Sequence, residues 1–321
     1  MEGKGPGHAD LRVLLVVILG ATATGKSDLA VRVARRLAGR IISADSIQVY
    51  RGLDAGSCKP PDEARREIPH ELIDVADPVE PFSAGRFAML ATQAIDAARL
   101  AGQVPIVVGG TGLYLRALLE GIAPMPPRDD ELRRELYARA AAGSVQELHR
   151  ELEQVDPETA TRIGSGDLQR IVRALEVVKL TGLPLSHHIK TSSFESGNRP
   201  SLKVGLAMER SRLYRRVEER VDRIFKAGIV EEVRGLLAAG VPPSANALKA
   251  LGYREVMTHL RGEIDLPRAI ELVKRNTRRY ARRQIIWFRR ERDVRWFDPD
   301  ETPAESIARA VEATYRGTEG A

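Results

Sequence analysis

Apolar positions along this chain follow two rhythms, and they alternate. Val13–Leu19 is an unbroken apolar run, and Arg12–Leu19 reads as a buried, β-branched strand of the kind parallel sheets require. A Gly-rich turn follows it. Leu29, Val33 and Leu37 then recur at helical spacing, which predicts an amphipathic helix. Arg40–Ala44 is a second short strand, ending at Asp45. Val104–Val108 is a third, ending in Gly109-Gly110-Thr111 with helical Leu113–Leu119 behind it, and Lys203–Met208 is a fourth. Strands alternating with helices predict an α/β domain built on a mainly parallel sheet.

The middle of the chain breaks this rhythm. Pro124, Pro126 and Pro127 mark a boundary, and Asp129–Lys179 holds no convincing strand, only helical repeats such as Ile171, Leu175 and Val178. Thr181–Pro200 is rich in Ser, Gly and Pro and reads as a return linker, with His187-His188 in a loop or tail. Beyond it the chain predicts helices over Ser211–Ala239, Ala245–Arg261 and Pro267–Arg290. The expected organisation is a disordered tail at 1–10, a core from residues 11–125 and 189–321, and an all-helical insertion at 126–188.

Composition narrows the function classes. The longest apolar run has 7 residues, Val13–Leu19, against about 20 for a membrane span. It leads into glycines with no small-residue cleavage pattern, so neither a membrane anchor nor a secretory leader is expected. A single cysteine, Cys58, excludes an internal disulfide framework and a multi-Cys zinc site. A cytoplasmic protein acting as a monomer is expected. Net charge is +6, but its distribution says more: Arg268–Arg295 holds 11 basic and 3 acidic residues. That stretch alone is more positive than the whole chain, which is compatible with a polyanionic partner.

The chemistry starts at Gly20-Ala21-Thr22-Ala23-Thr24-Gly25-Lys26-Ser27, which fits G-x-x-x-x-G-K-[ST] with a strand before it and a helix after it. The core is therefore expected to be P-loop NTPase-like. Backbone N–H groups of such a loop wrap phosphate oxygens at a helix N-terminus, Lys26 reaches the terminal phosphates, and the Ser27 hydroxyl binds Mg²⁺. The loop reads two linked phosphates and does not read a base, so ATP and other diphosphates stay open. Asp45, at a strand C-terminus, faces the expected ligand crevice. It can hold magnesium, take a proton, or simply cap the helix that follows. Thr111 occupies the equivalent place on the next strand and can likewise be an N-cap. The paired arginines Arg278-Arg279, Arg282-Arg283 and Arg289-Arg290 recur beside Trp287 and Phe288. Arginines interleaved with aromatics suit an RNA backbone and an unstacked base, although apolar packing with Arg outward explains the aromatics equally well.

Taken in order, GATATGKS, DSIQVY (Asp45–Tyr50), CKP (Cys58–Pro60), DPVEPFSAGRF (Asp77–Phe87), VVGGTGLY (Val107–Tyr114), DLQRIVRALEV (Asp167–Val177), LKALGYRE (Leu248–Glu255) and RRQIIWFRR (Arg282–Arg290) resemble the bacterial tRNA dimethylallyltransferases, also called tRNA isopentenyltransferases. The resemblance spans residues 12–297. Ala21 stands where that family usually has Pro, and Thr24 where it usually has Ser. The eukaryotic C-terminal zinc finger is absent. The resemblance implies transfer of a dimethylallyl group from its diphosphate to the exocyclic amine of the adenosine 3′ of the anticodon. It implies that Lys26, Arg220, loop N–H groups and Mg²⁺ on Ser27 stabilise the leaving diphosphate, that Asp45 takes the amine proton and that Thr111 orients the reacting groups. It further implies tRNA contacts from Asp45, Ser46, Ile47, Gln48 and Thr111, and from Arg133 on the insertion. Gln169, Arg170, Ile171, Val172 and Arg173 are a third set, and Lys249, Ala250, Leu251, Gly252, Tyr253 and Arg254 a fourth. Arg282, Arg283, Gln284, Trp287 and Arg289 complete the list. A small-molecule or nucleoside kinase would share the P-loop and Asp45 but needs no long basic C-terminal helix.

Overall fold

The computed structural model describes residues 14–191 and 199–319. Six parallel strands form one sheet: β1 (Leu15–Gly20), β2 (Gly39–Ala44), β3 (His70–Glu71), β4 (Val104–Gly109), β5 (Ser201–Leu206) and β6 (Val294–Phe297), in the order β3-β2-β4-β1-β5-β6. β1 lies at the centre between β4 and β5, with Val17 opposite Val107 on one side and Lys203 on the other. Every residue of β1 is buried, because both faces of the sheet are covered.

The two-residue period of the strands sorts their side chains between those faces. Leu15, Val17, Leu19, Ile42 and Val107 pack under the helices Ala84–Leu100 and Gly112–Leu119, together with Phe288. Val16, Ile18, Ile41 and Ile106 pack instead on Leu29 and Val33 of the Lys26–Leu37 helix and on Ile307 and Val311 of the C-terminal Ala304–Glu319 helix. Each such side chain contributes about 1.5–3 kcal/mol on burial.

The chain divides into two compact units. The sheet unit uses both ends of the sequence, through Leu119 and again beyond Asn198. The second unit begins at Glu120, earlier than the proline cluster, and its described part is wholly helical: Asp130–Ala142, Val145–Val155, Pro157–Arg162, Leu168–Thr181 and Leu185–Thr191. Leu136, Leu148, Leu152, Ile171, Val172 and Leu175 form its core.

Several expectations need correction. His187 and His188 sit on the Leu185–Thr191 helix, not in a loop, because the Ser186 N–H is fastened to Asp156 at 2.9 Å and Thr181 Oγ1 meets His188 Nε2 at 3.0 Å. The expected Ser211–Ala239 helix is two, Arg210–Lys226 and Ile229–Ala238, broken at Gly228 in the left-handed region. The expected Ala245–Arg261 helix opens as a 3₁₀ turn at Ala247–Lys249 and becomes α-helical only at Tyr253–Leu260, after Gly252 at φ 94°. The strand expected at Lys203–Met208 is Ser201–Leu206. β3, β6 and the helices Asp62–Glu67, Ala84–Leu100 and Ala304–Glu319 were not anticipated. The tail at 1–10 lies outside the described residues.

Candidate active site

The glycine loop joins β1 to the Lys26–Leu37 helix at the C-terminal edge of the sheet, where open α/β folds bind ligands. Gly25, the N-cap, has φ 92° and offers no side-chain cap, so the first-turn N–H groups stay open to an anion. Two bonds brace the loop from inside: Thr24 Oγ1 donates to Ala21 O at 2.9 Å and Lys26 Nζ to the same oxygen at 2.7 Å. Threonine thus supplies the hydroxyl that serine would. Ala21 is buried against Leu213, Val217 and Ala281, so an apolar residue suffices there.

A cavity of about 430 Å³ opens over this loop. Lys26, Ser27, Asp45, Gln48, Gly109 and Gly110 line it, as do Arg216, Arg220 and Arg223 from the Arg210–Lys226 helix and Tyr280 and Gln284 from Leu266–Phe288. A second cavity of about 300 Å³ shares Thr22, Asp45, Arg220 and Tyr280 with the first. Its remaining walls are mainly apolar, from Ile47, Ile224, Ile229, Ala250, Leu251 and Val273. A cationic chamber and an aliphatic one therefore meet at Asp45.

Charge is concentrated at that junction. Burial, then the nearby Arg220 guanidinium, pull the Lys26 ammonium down to about 7, while Asp45 acts in the opposite direction. Burial raises the Tyr280 phenol to about 12, and Asp45 adds to that rise. Asp45 Oδ1 accepts from Ile47 N at 2.8 Å and Gln48 N at 3.3 Å, so it does cap the turn after β2. Both bonds fall on one oxygen, which leaves Oδ2 for chemistry. Thr111 Oγ1 accepts from Ser46 N at 3.2 Å and so links the ends of β4 and β2. Arg220 donates to Ser57 O at 3.3 Å, and Gln48 spends its amide on Ser43, Ser57 and Cys58. In the CKP motif, Lys59 is buried between Asp54 and Asp74, a structural tie.

The arrangement corrects part of the expected RNA-facing set. Ile171 and Val172 are fully buried in the helical unit, and Tyr253 is fully buried with its hydroxyl donating to Glu232 Oε1 at 2.7 Å. Gly252 and Gln284 are buried too. None of these residues lies on the outer surface: Gln284 and Gly252 line the two cavities, and periodicity puts Ile171, Val172 and Tyr253 on the inner face of their helices. Trp287 is partly buried, packed against Gly112 and roofed by Arg116 at 4.7 Å. Gln169, Arg170, Lys249, Arg254, Arg282, Arg283 and Arg289 are exposed. Ser46 and Ile47 are half-buried, and Ala250 and Leu251 line the aliphatic chamber. Arg133 and Arg173 are half-buried and both fasten to the buried Glu176, Arg133 through two bonds of 2.8 Å. Burial alone would raise that carboxyl; bonds from Arg133 and Arg173 and from Asp129 N hold it at about 2.

Sequence reasoning missed Arg216, Arg223 and Tyr280. The arginines had a signal, since positions 216, 220 and 223 share one helix face after a strand. Tyr280 had a weaker one, one turn before Gln284.

A sequence profile of the family described as IPP transferase matches residues 48–291, and one described as isopentenyl transferase matches residues 13–74. Over 284 residues the chain is 49% identical to a protein named tRNA dimethylallyltransferase from Geobacter metallireducens, covering 88% of this chain and 92% of that one. A protein of the same name from Geobacter sulfurreducens is 47% identical over 291 residues, covering 91% and 94%. Among solved structures, the full-length tRNA isopentenylpyrophosphate transferase of Bacillus halodurans matches with TM-score 0.68 and 37% identity over 97% of this chain and 100% of that one. A eukaryotic dimethylallyltransferase captured acting on tRNA matches with TM-score 0.73 and 26% identity, over 94% and 77%.

Proposed function

The chain belongs to the IPP transferase family, and on that premise we propose that it transfers a dimethylallyl group from dimethylallyl diphosphate to the exocyclic amine of the adenosine 3′-adjacent to the anticodon of tRNA. The observation that carries this reading is the pair of chambers meeting at Asp45. The cationic one suits a diphosphate and the aliphatic one suits an apolar group beside a flat base. A kinase would share the cationic chamber, and the family matches, not the chambers alone, set it aside.

In the reaction the amine nitrogen attacks C1 of the dimethylallyl group, the C1–O bond breaks, and its electron pair leaves with the diphosphate. Lys26, Arg220 and the first-turn N–H groups stand where that charge grows, and such fixed donors act without reorganising. Asp45 Oδ2 takes the amine proton as the C–N bond forms, which makes a delocalised nitrogen a usable nucleophile. Thr111 holds the Asp45–Ser46 turn in place. The base must leave its stack to reach this depth.

Among the described residues no cluster of three or more His, Cys, Asp and Glu side chains could hold a metal. Oxygen donors line the cavity at the phosphate loop, the Ser27 hydroxyl and the Asp45 carboxylate foremost, with Thr22, Asp28 and Glu219 beside them. That fits a magnesium ion which fills its remaining positions from substrate phosphates and water. Bound there, it would neutralise charge on the leaving diphosphate. No described helix is long and apolar enough to cross a membrane. We read the protein as a monomer acting in the cytoplasm, where its RNA substrate is.

Incubating the protein and tRNA with either labelled dimethylallyl diphosphate or γ-labelled ATP tests the reading. Label from the prenyl donor should appear in acid-insoluble RNA. Label transferred only from ATP would overturn it.

The exposed Arg282 and Arg283 make no ion pair among the described residues, and although the Arg283 guanidinium lies 5.8 Å from the Tyr280 ring centre, both are accessible to phosphates. Transfer RNA affinity should therefore fall linearly on a log–log salt plot. Replacing both by Gln should flatten that slope by roughly one unit per lost contact. An unchanged slope would return this face to solvent.

A further inference from the structure

Gln284 lies on the Leu266–Phe288 helix directly after two exposed arginines, Arg282 and Arg283, yet it is only 6% exposed. Its amide is satisfied at both ends by the backbones of two different loops. Oε1 accepts from Thr22 N in the phosphate loop at 2.8 Å, and Nε2 donates to Gly110 O after β4 at 2.8 Å. No other orientation of the amide works, because Thr22 N can only donate and Gly110 O can only accept. The fit is close: a Cβ on Gly110 would stand 2.4 Å from Nε2.

The same helix touches these loops at two further points. Ala281 packs on Ala21 of the phosphate loop, and Tyr280 lines both cavities beside Asp45, next to the Ser46 N–H from which Thr111 accepts. The same helix also carries Arg282, Arg283 and Arg289, all exposed, with the Arg283 guanidinium 5.8 Å from the Tyr280 ring centre. A helix transmits displacement along and across its axis as a rigid rod. Whatever seats the arginines therefore also sets where Gln284 holds Thr22 and Gly110. One consequence is immediate: the Thr22 N–H is already committed, so the phosphate loop offers a diphosphate one fewer amide than its sequence implies.

We propose that Gln284 is a positioning residue that ties the RNA-facing helix to the phosphate loop, so that seating of tRNA on the arginines fixes the diphosphate chamber against Asp45. The inference rests on the reading of the two chambers given above. It assigns Gln284 to the inside of the site and not to the RNA surface.

Gln284→Met keeps the length and volume of the side chain but removes the donor and the strong acceptor. Single-turnover transfer at saturating substrates should fall roughly 100-fold, the scale of a small misplacement at a reacting centre. The Kd for tRNA should move by less than about threefold, as for a residue that does not touch RNA. A loss confined to tRNA affinity would make Gln284 an RNA contact and overturn the proposal, and so would wild-type transfer. Hydrogen exchange on the wild-type protein gives an independent reading should the variant fold poorly. An anticodon stem–loop RNA, added without any diphosphate, should slow exchange in peptides covering Gly20–Gly25 and Gly109–Gly112. No change there would overturn the coupling. If the wild-type enzyme itself transfers no prenyl group, the underlying reading fails instead.

Discussion

Lys26→Ala is expected to reduce single-turnover prenyl transfer by about 10²–10³-fold or more, the scale of removing one preorganised donor from a developing anion. Transfer RNA affinity should stay within about twofold, because Lys26 faces the phosphate chamber and not the arginine face. The lysine carries a second, sharper signature. Burial and Arg220 hold its ammonium at about 7 in the free protein. A diphosphate beside Nζ favours the charged form and raises that value again. Binding above neutrality must therefore take up a proton. The sign follows: the Lys26 contribution to inorganic diphosphate affinity is fully present well below pH 7, where the lysine is charged in the free protein as well. It then falls by up to about tenfold per pH unit above pH 7, as the free lysine loses its proton. Calorimetric titration from about pH 6.5 to about pH 9 reads this as the difference in slope between wild type and Lys26→Ala, since ionisation of the ligand is common to both. Equal slopes in the two proteins would place the titrating group elsewhere.

What the sequence made legible was local. The apolar run into Gly20 fixed the central strand, and the glycine–lysine spacing fixed the phosphate loop, because both depend on contiguous residues. Asp45 and Thr111 were legible as strand-end residues, and their bond through Ser46 N brings them together. Pairing across distance was not legible. Nothing near Arg133 indicates that its partner is Glu176 on another helix, so an arginine expected to be open to RNA proves half-buried and tied internally. Nor could an Arg-rich stretch say which of its residues turn inward.

The Leu266–Phe288 helix shows the reason for that last failure. Each helical step rotates by about 100°, so neighbours in sequence face different surroundings. Arg282 and Arg283 point to solvent while Gln284 reaches two loops of the sheet unit. A motif read as one surface is two. Its basic residues are exposed, while Gln284, with Tyr280 just before the motif, lines the cavity over the phosphate loop. β6 failed for a related reason: an edge strand of four residues, Val-Arg-Trp-Phe, lacks the buried apolar run that marks a central strand.

Asp45→Asn should lower single-turnover prenyl transfer by roughly 10²-fold or more, the contribution of a general base. The geometry makes this a clean substitution. The capping bonds from Ile47 N and Gln48 N both end on Oδ1, which asparagine keeps as its carbonyl oxygen. A flipped amide would set donor against donor, so the NH₂ group is forced into the place of Oδ2. The melting temperature should therefore hold within about two degrees, since the cap is intact. The new amide still hydrogen-bonds an adenine, and tRNA affinity should move by less than about tenfold. Diphosphate affinity is subject to two opposing changes. Repulsion from the carboxylate disappears, but so does the charge that favours the Lys26 ammonium. The two oppose each other, so diphosphate affinity should move by less than about tenfold. If Asp45 served chiefly as a magnesium ligand, diphosphate affinity would collapse and excess Mg²⁺ would partly restore the rate. Transfer at the wild-type rate would leave Asp45 as a cap alone and move the proton to another acceptor.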